Sequence, residues 1–167
     1  MPQHEHSLVA ELAKALQERG VMLATAESCT GGGVAYAITA IPGSSHWFDR
    51  GFVVYTNAAK SEMLGVDASI IDAHGAVSEQ VARALAEGVL THSHADFSLA
   101  ITGVAGPGGG SPEKPVGTVW FAWAGTGSPV LAERRRFSGN RDEVRQQSVE
   151  AALQGMLDYI QKSVVPA

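Results

Sequence analysis

A hydroxyl, a thiol and three glycines follow one another in the segment AESCTGGG at residues 26–33. An apolar run at residues 21–24 predicts a buried strand before it, and apolar residues at helical spacing follow at residues 34–41. The change from strand to helix therefore falls on Ser28 and Cys29, where a helix start would offer free backbone N–H groups to a ligand. Glycines let the backbone come close to that ligand because they carry no Cβ.

Ser28 is a candidate nucleophile, although Ser28 or Thr30 acting only as the N-cap of the helix is an equally good interpretation. A free hydroxyl is a weak nucleophile and needs a base, and none of the six histidines follows a predicted strand end. Lys60 is the alternative base. It falls in the first turn of a predicted helix, where the dipole disfavours a cation and lowers the pKa. A solvated surface position for Lys60 is the competing interpretation.

Two further side chains near this centre have open roles. Tyr55, at the end of the second predicted strand, has a hydroxyl that can relay a proton or donate to a developing negative charge, unless the ring belongs to the core. Cys29 is a rival nucleophile, because a thiol at a helix N-terminus can have a depressed pKa. We favour packing as a small buried side chain for this single cysteine.

Arg141 and Arg145 lie one turn apart at the start of the last predicted helix and can clamp a phosphate from one face. Ion pairs with the neighbouring Asp142, Glu143 or Glu150 are as good an interpretation. A short cluster of histidines and an aspartate at residues 92–96 lacks further ligands nearby, so we expect no metal and no cofactor.

Strands and helices alternate along the chain in an order that can position these side chains. Strands are predicted at residues 21–26, 51–55, 97–102, 116–124 and 130–137, and helices at residues 7–19, 30–41, 58–64, 67–73, from 78 onward and at 141–163. The short Gly-containing connection between the last two strands favours a hairpin. This order predicts a mixed sheet that is covered by helices on both faces.

Three candidate groups fall at the carboxyl ends of strands if the first three strands are parallel, which is where ligands bind in open α/β sheets. They are Ser28 after the first strand, Tyr55-Thr56-Asn57 with Lys60 after the second, and Thr102 with Gly103 after the third. Convergence of three strand ends favours a catalytic centre more than any one of them does.

Length and composition limit the classes of function. The 167 residues predict one domain over residues 1–167, and 45% hydrophobic content is typical of a globular protein. A net charge of −5 disfavours nucleic-acid binding, which wants a basic surface. No apolar run approaches the roughly 20 residues of a membrane span. A single cysteine fits a reducing compartment, and together with the polar start of the chain it predicts a cytoplasmic protein.

The chain resembles the CinA C-terminal domain family, the nicotinamide-nucleotide amidohydrolases, in motifs that keep the family's order. They are TAESCTGG at residues 25–32, PGSS at 42–45 with WF at 47–48, YTN at 55–57 with Lys60, HGAVS at 74–78, TGVAGPGG at 102–109, KPVGTV at 114–119, and FSG at 137–139 with Arg141 and Arg145.

The resemblance implies an α/β fold, a three-layer α/β/α sandwich with a mixed, mostly parallel sheet. It implies hydrolysis of the carboxamide of nicotinamide mononucleotide to nicotinic acid mononucleotide and ammonia, a step of pyridine-nucleotide recycling. Ser28 would be the nucleophile and Lys60 the base, with Tyr55 assisting. The substrate would be bound by Thr30, Gly31, Gly32, Ser45, Thr102 and Gly103, with Arg141 or Arg145 on the phosphate.

The resemblance also implies a small-molecule nucleotide as the binding partner and a homodimer or larger homo-oligomer, without nucleic acid or membrane partners. Two other functions stay open. One is a nucleotide-binding module without turnover, and the other is an amidohydrolase of the same mechanism that acts on a different amide.

Overall fold

A computed structural model describes residues 1–163, which form one mixed five-stranded sheet with six α-helices around it. The elements are α1 (Gln3–Arg19), β1 (Leu23–Glu27), α2 (Gly33–Thr39), β2 (Phe48–Val53), α3 (Asn57–Leu64), α4 (Ala68–His74), α5 (Glu79–Thr91), β3 (Phe97–Gly103), β4 (Thr118–Gly125), β5 (Ser128–Arg136) and α6 (Arg141–Lys162), with a 3₁₀ turn at Ser44–His46. The last helix was predicted to end at residue 163, which is also the last residue that the structure describes. Residues 164–167 lie outside the described part of the chain.

The strands lie in the order β2-β1-β3-β4-β5. β1 pairs in parallel with both β2 and β3, whereas β4 is antiparallel to β3 and to β5. The mixed sheet and the β4–β5 hairpin are therefore confirmed. Because the first three strands run in one direction, their carboxyl ends meet at one edge of the sheet, above β1.

Side chains on the two faces of the sheet pack into separate cores, since neighbouring residues of a strand point to opposite faces. One face carries large side chains such as Leu99, Phe121 and Trp123, which pack against α1, α2 and α6. The other face carries small side chains such as Ala26 and Ala100, and packs against α3, α4 and α5. The result is the expected three-layer α/β/α sandwich.

Most helix boundaries follow local signals. Gly20 ends α1 with φ +64°, and the side chains of Asp67, Ser78 and Asn140 cap α4, α5 and α6. The cap of α3 is Thr56, whose hydroxyl accepts the N–H of Ala59. No helix within residues 1–163 is both long and apolar enough to cross a membrane.

The second strand differs from its prediction. An apolar run at residues 52–55 indicated a buried strand, but β2 ends at Val53 and forms an edge of the sheet with largely exposed or half-buried side chains. Val54 is fully buried just beyond the strand, and Tyr55 is 56% exposed. The end of β2 therefore turns into the region above β1 instead of continuing the sheet.

Gly155, in the middle of α6, is expected to be intolerant of alanine. Glycine to alanine normally stabilises a helix interior by about 1 kcal/mol, but a Cβ at Gly155 would overlap the indole ring of Trp123. Overpacking of this kind costs about 1–3 kcal/mol, so Gly155→Ala should lower the free energy of unfolding in urea titrations. The exposed neighbour Gln154→Ala is the control and should stay within about 0.5 kcal/mol of the parent. An unchanged or raised urea midpoint for Gly155→Ala would contradict this packing.

Candidate active site

The side chains of Ser28 and Lys60 meet at the carboxyl edge of the sheet. The Nζ of Lys60 lies 3.3 Å from the Oγ of Ser28. Both residues are buried, with 8% of Ser28 and 1% of Lys60 exposed. The same amine also donates to the backbone carbonyls of Val54 at 3.0 Å and Tyr55 at 3.2 Å. The predicted pairing of hydroxyl and amine is therefore present in the fold.

The alternation of β1 explains why Ser28 points towards α3. The backbone hydrogen bonds continue just past the strand, because Ser28 N–H donates to Ile101 and Glu27 accepts from Val54 N–H. Ala24 and Ala26 face the core that contains α3, so the next residue of the same parity, Ser28, faces the same side. α3 presents Lys60 from its first turn, after the chain leaves β2.

Burial lowers the pKa of Lys60 below its ordinary value, and a smaller opposing effect comes from the nearby Cys29. All three groups that the amine contacts are neutral oxygens, so no carboxylate in direct contact holds the proton there. A neutral amine has two N–H groups for the two carbonyls, and its lone pair is then left for the hydroxyl of Ser28. The arrangement can therefore take the proton from Ser28.

α2 begins at Gly33, three residues later than the helix start predicted at Thr30. Its N-cap position is Gly32, with φ +101°, so the interpretation of Ser28 or Thr30 as the cap is wrong. The free N–H groups at the start of α2 are also not available to a ligand. Glu27, 1% exposed, accepts them from Val34 at 2.8 Å and from Ala35 at 3.1 Å.

The loop after Ser28 is therefore held by side chains from two elements. The carboxylate of Glu27 also accepts the hydroxyl of Thr30 at 2.7 Å. Arg145 of α6 donates from Nε to the carbonyl of Cys29 at 3.1 Å and from Nη2 to the carbonyl of Thr30 at 3.4 Å. Gly31 has φ +59°, and a Cβ there would lie 3.3 Å from the guanidinium of Arg145. A glycine at this position lets the guanidinium lie flat against the loop.

A cavity of about 220 Å³ opens beside the Ser28–Lys60 pair. Arg141 reaches into it from the first turn of α6, where its guanidinium donates to the carbonyl of Gly106 at 2.8 Å and to the hydroxyl of Tyr55 at 3.1 Å. The cavity is lined by Ser28, Cys29, Tyr55, Asn57, Lys60, Ala76, Val77, Thr102, Gly103, Ala105 and Arg141. The three predicted strand ends thus converge on one space.

Only some of the other residues that were expected to bind the substrate line the cavity. Thr102 lines the cavity, but its hydroxyl is bonded to the carbonyl of Ala76 at 2.8 Å and so fixes the segment before α5. The hydroxyl of Thr30 is directed to Glu27 and away from the cavity. Gly31 and Gly32 belong to the loop and lie outside the cavity lining as well.

Ser45 does not reach the site of its own chain, which corrects the expectation drawn from the resemblance. It lies in the 3₁₀ turn before β2, whose first residues pair with Leu23 at the start of β1. Ser28 follows the opposite end of β1, at Glu27. At about 3.3 Å of rise per residue, the four steps from Leu23 to Glu27 separate the two ends by roughly 13 Å.

Cys29 packs in the core, as we expected from the sequence, on the face of the sheet that carries α6. Burial is the largest effect and raises the pKa of this thiol to about 11; a backbone hydrogen bond at Cys29 opposes it, the charge of Glu27 adds to it, and Arg145 and Arg141 oppose it more weakly. The thiol is therefore protonated at neutral pH and is a poor nucleophile. Within residues 1–163, no three metal-ligating side chains form a cluster.

Three lining residues, Ala76, Val77 and Ala105, were missed by the sequence analysis. Ala76 and Val77 come from the turn before α5, and Ala105 from the glycine-rich loop. The motif HGAVS at residues 74–78 was a signal for that turn, but nothing local indicates that it lies above β3.

Comparison with known proteins gives a consistent result. The model of the CinA C-terminal domain matches residues 5–160. The chain is 53% identical over 152 residues to "Nicotinamide-nucleotide amidohydrolase PncC" of Enterobacter agglomerans, covering 91% of this chain and 93% of that protein. It is 52% identical to the protein of that name from Escherichia coli K12, with 88% and 89% covered.

A solved structure, "competence/damage inducible protein CihA" from Agrobacterium tumefaciens, superposes with a TM-score of 0.93 at 45% identity. The superposition covers 97% of this chain and 98% of that one. The match extends from α1 to α6 and includes every element that positions the Ser28–Lys60 pair. The chain therefore belongs to the CinA C-terminal domain family.

Proposed function

We propose that this protein is an amidohydrolase that converts nicotinamide mononucleotide to nicotinic acid mononucleotide and ammonia with a Ser28–Lys60 dyad. The observation that carries the proposal is the 3.3 Å contact between the buried amine of Lys60 and the hydroxyl of Ser28. Relatives about 52% identical to the chain bear the name of this activity. A Ser–Lys pair beside a cavity is one of the nucleophile–base arrangements that can hydrolyse amides.

The reaction begins when neutral Lys60 takes the proton of Ser28 and the Oγ of Ser28 attacks the carboxamide carbon. The tetrahedral intermediate carries a negative oxygen. It collapses when the C–N bond breaks and Lys60 returns the proton to the departing ammonia. Water then attacks the ester left on Ser28 and gives a proton to Lys60. Lys60 passes that proton to the Oγ of Ser28 as the acid product leaves. Each half of the reaction returns Lys60 to its neutral form.

The size of the cavity supports a ligand that is only partly enclosed. About 220 Å³ is smaller than the roughly 300–1,000 Å³ typical of small-molecule pockets. The pyridine ring and its carboxamide would occupy the space beside Ser28. The ribose and phosphate would extend outward towards Arg141, whose guanidinium lies in the lining given above.

Arg141 is expected to bind the phosphate, and Arg141→Met should therefore raise KM. Its guanidinium faces the cavity and can meet a phosphate with paired N–H groups. Loss of such a contact, worth about 1.5–3 kcal/mol, should raise KM for nicotinamide mononucleotide on the order of 10–100-fold. The same variant should change little with nicotinamide riboside, which lacks the phosphate. An equal loss on both substrates would contradict phosphate binding by Arg141.

Tyr55 has a hydroxyl that is bonded to Arg141 and a backbone carbonyl that is bonded to Lys60. We propose that it supports the reaction in two ways. The carbonyl orients the amine, and the ring closes one side of the cavity.

A cytoplasmic location and assembly into a homodimer or larger homo-oligomer remain predictions, to be measured by cell fractionation and light scattering.

The activity is tested by measuring ammonia release from nicotinamide mononucleotide, nicotinamide, nicotinamide riboside and NAD. Release from the mononucleotide alone, or far faster than from the others, is expected. Release from a different amide in a wider panel would support the same chemistry on another substrate. Nucleotide binding by calorimetry with no release from any amide would indicate a binding module.

A further inference from the structure

Arg145 was expected as one of two possible phosphate ligands, yet its contacts are with the protein backbone. Its Nε and Nη2 donate to the carbonyls of Cys29 and Thr30, and its Nη1 lies 3.9 Å from Asp142. It does not line the cavity that contains Arg141. The guanidinium is therefore directed at the loop that follows Ser28.

The carbonyl that Arg145 binds fixes the direction of the N–H group in the same peptide. A trans peptide is planar, and its N–H points opposite to its C=O. The carbonyl of Cys29 points towards α6, so the N–H of Thr30 points away from α6. The side chain of Ser28 also faces away from α6, towards Lys60.

The N–H of Thr30 donates to no other residue within the described part of the chain. Three neighbouring donors are used: Ser28 N–H bonds Ile101, Gly31 N–H bonds Ser28, and Gly33 N–H bonds Thr30. Within the described residues, the N–H groups of Cys29 and Gly32 donate to no other residue either, but the carbonyls that Arg145 binds set the direction of the Thr30 and Gly31 peptides. The bond from Gly31 N–H to the carbonyl of Ser28 closes a turn over residues 28–31, and Thr30 N–H lies inside this turn, two residues after the nucleophile. Thr30 is 2% exposed, so its N–H is a buried backbone donor without a partner among residues 1–163, in the loop that follows the nucleophile.

We propose that the backbone N–H of Thr30 stabilises the oxyanion of the tetrahedral intermediate and that Arg145 is the positioning residue that directs it. Glu27 holds the same loop from the α2 side through the hydroxyl of Thr30. This inference deepens the proposed function and rests on it. It replaces the start of α2 as the source of oxyanion donors, since those N–H groups are bonded to Glu27.

Arg145→Met removes both contacts with the carbonyls while keeping a side chain of similar length. We expect kcat for nicotinamide mononucleotide to fall on the order of 10²–10³-fold, the usual loss of an oxyanion donor, with KM changed less than about threefold. Arg145→Lys, which can still reach one carbonyl, should recover part of the rate. Arg136→Met, at an exposed arginine of β5, is the matched control and should keep the parent rate.

The thionicotinamide analogue of the substrate separates oxyanion stabilisation from a general structural effect, because sulfur is a weaker hydrogen-bond acceptor. The rate ratio of amide to thioamide should be large for the parent protein and several-fold smaller for Arg145→Met, since two losses at one contact are not additive. An unchanged ratio would overturn the role of Thr30. A tenfold higher KM with unchanged kcat would make Arg145 a phosphate ligand instead.

A second probe makes the inference independent of the amide substrate. Methanesulfonyl fluoride forms an S–O bond with Ser28 and releases fluoride, while Lys60 takes the proton, and intact mass spectrometry follows the product. Arg145→Met should slow this modification at least tenfold relative to the parent and Arg136→Met, with thermal unfolding confirming that each variant is folded. Equal modification rates would overturn the positioning role. Rapid modification of the parent without any amide hydrolysis would contradict the proposed function but not this inference.

Discussion

Ser28→Ala is expected to lower kcat for amide hydrolysis on the order of 10⁶-fold, the loss found when the serine nucleophile of a serine protease is removed. The hydroxyl of Ser28 is the group that the buried amine of Lys60 contacts, so alanine removes the atom that would form the acyl-enzyme. KM should change little because the methyl group leaves the cavity lining otherwise intact. Ammonia release under saturating substrate measures the effect.

Cys29→Ala is the matched control for Ser28→Ala, since it changes the adjacent side chain by one heavy atom. The thiol is buried and its pKa is raised to about 11, so alanine should keep the parent kcat within a few-fold. Thermal unfolding of both variants separates activity from folding. If Cys29→Ala were inactive and Ser28→Ala active, the nucleophile would be the thiol.

Lys60→Met is expected to lower kcat on the order of 10³–10⁵-fold, between the cost of a general base and the cost of a nucleophile. Methionine fills the buried space that the lysine stem occupies, but its thioether is not basic enough to take the proton of Ser28. Lys60→Arg should be as inactive, because a guanidinium remains protonated and cannot act as a base. A near-native rate in either variant would remove lysine from the mechanism.

The pH dependence of kcat/KM follows from the ionisation of Lys60. Burial lowers the pKa of Lys60 from 10.5, and only the neutral amine accepts a proton. The value of kcat/KM should therefore rise with pH as Lys60 loses its proton, and level off above a midpoint lower than 10.5. Lys60→Arg should lose this rising limb in its residual activity. A midpoint at or above 10.5 in the parent would contradict the burial effect.

The lowered pKa of Lys60 also makes the free energy of unfolding depend on pH. Between the folded-state pKa of Lys60 and the unfolded value of 10.5, the unfolded chain binds one more proton than the folded chain. Stability contributed by this group therefore increases as pH rises through that window and is lost as pH falls. The free energy of unfolding of the parent, measured against Lys60→Met across pH, reports this slope directly.

Much of the fold could be predicted because its signals are local. Apolar periodicity gave the order of helices and strands, and Gly20, Asp67 and Ser78 marked helix boundaries that the structure confirms. The late start of α2 was missed because Ser28 and Thr30 are good caps in isolation. In the fold, Glu27 supplies that capping function from inside β1, which depends on where the strand ends.

The roles of the two arginines could not be separated from sequence, because both lie on one face of α6 and both can bind a phosphate. Their surroundings decide between them. Arg141, at the first residue of α6, faces Tyr55 and Gly106 across the cavity, while Arg145, one turn later, faces the carbonyls of Cys29 and Thr30. One turn of helix thus separates a candidate ligand-binding residue from a residue that supports the loop.

The sequence by itself determined the family, the α/β architecture and the candidate pair, because Ser28 and Lys60 stand after predicted strands and within recognisable motifs. Only the tertiary structure decided that the amine of Lys60 contacts Ser28, that Ser45 lies at the opposite end of β1, and that the loop is held by Glu27 and Arg145. Periodicity and capping act between residues a few positions apart. The contacts of the site join residues 32 and 116 positions apart, so they depend on the strand order and on helix packing.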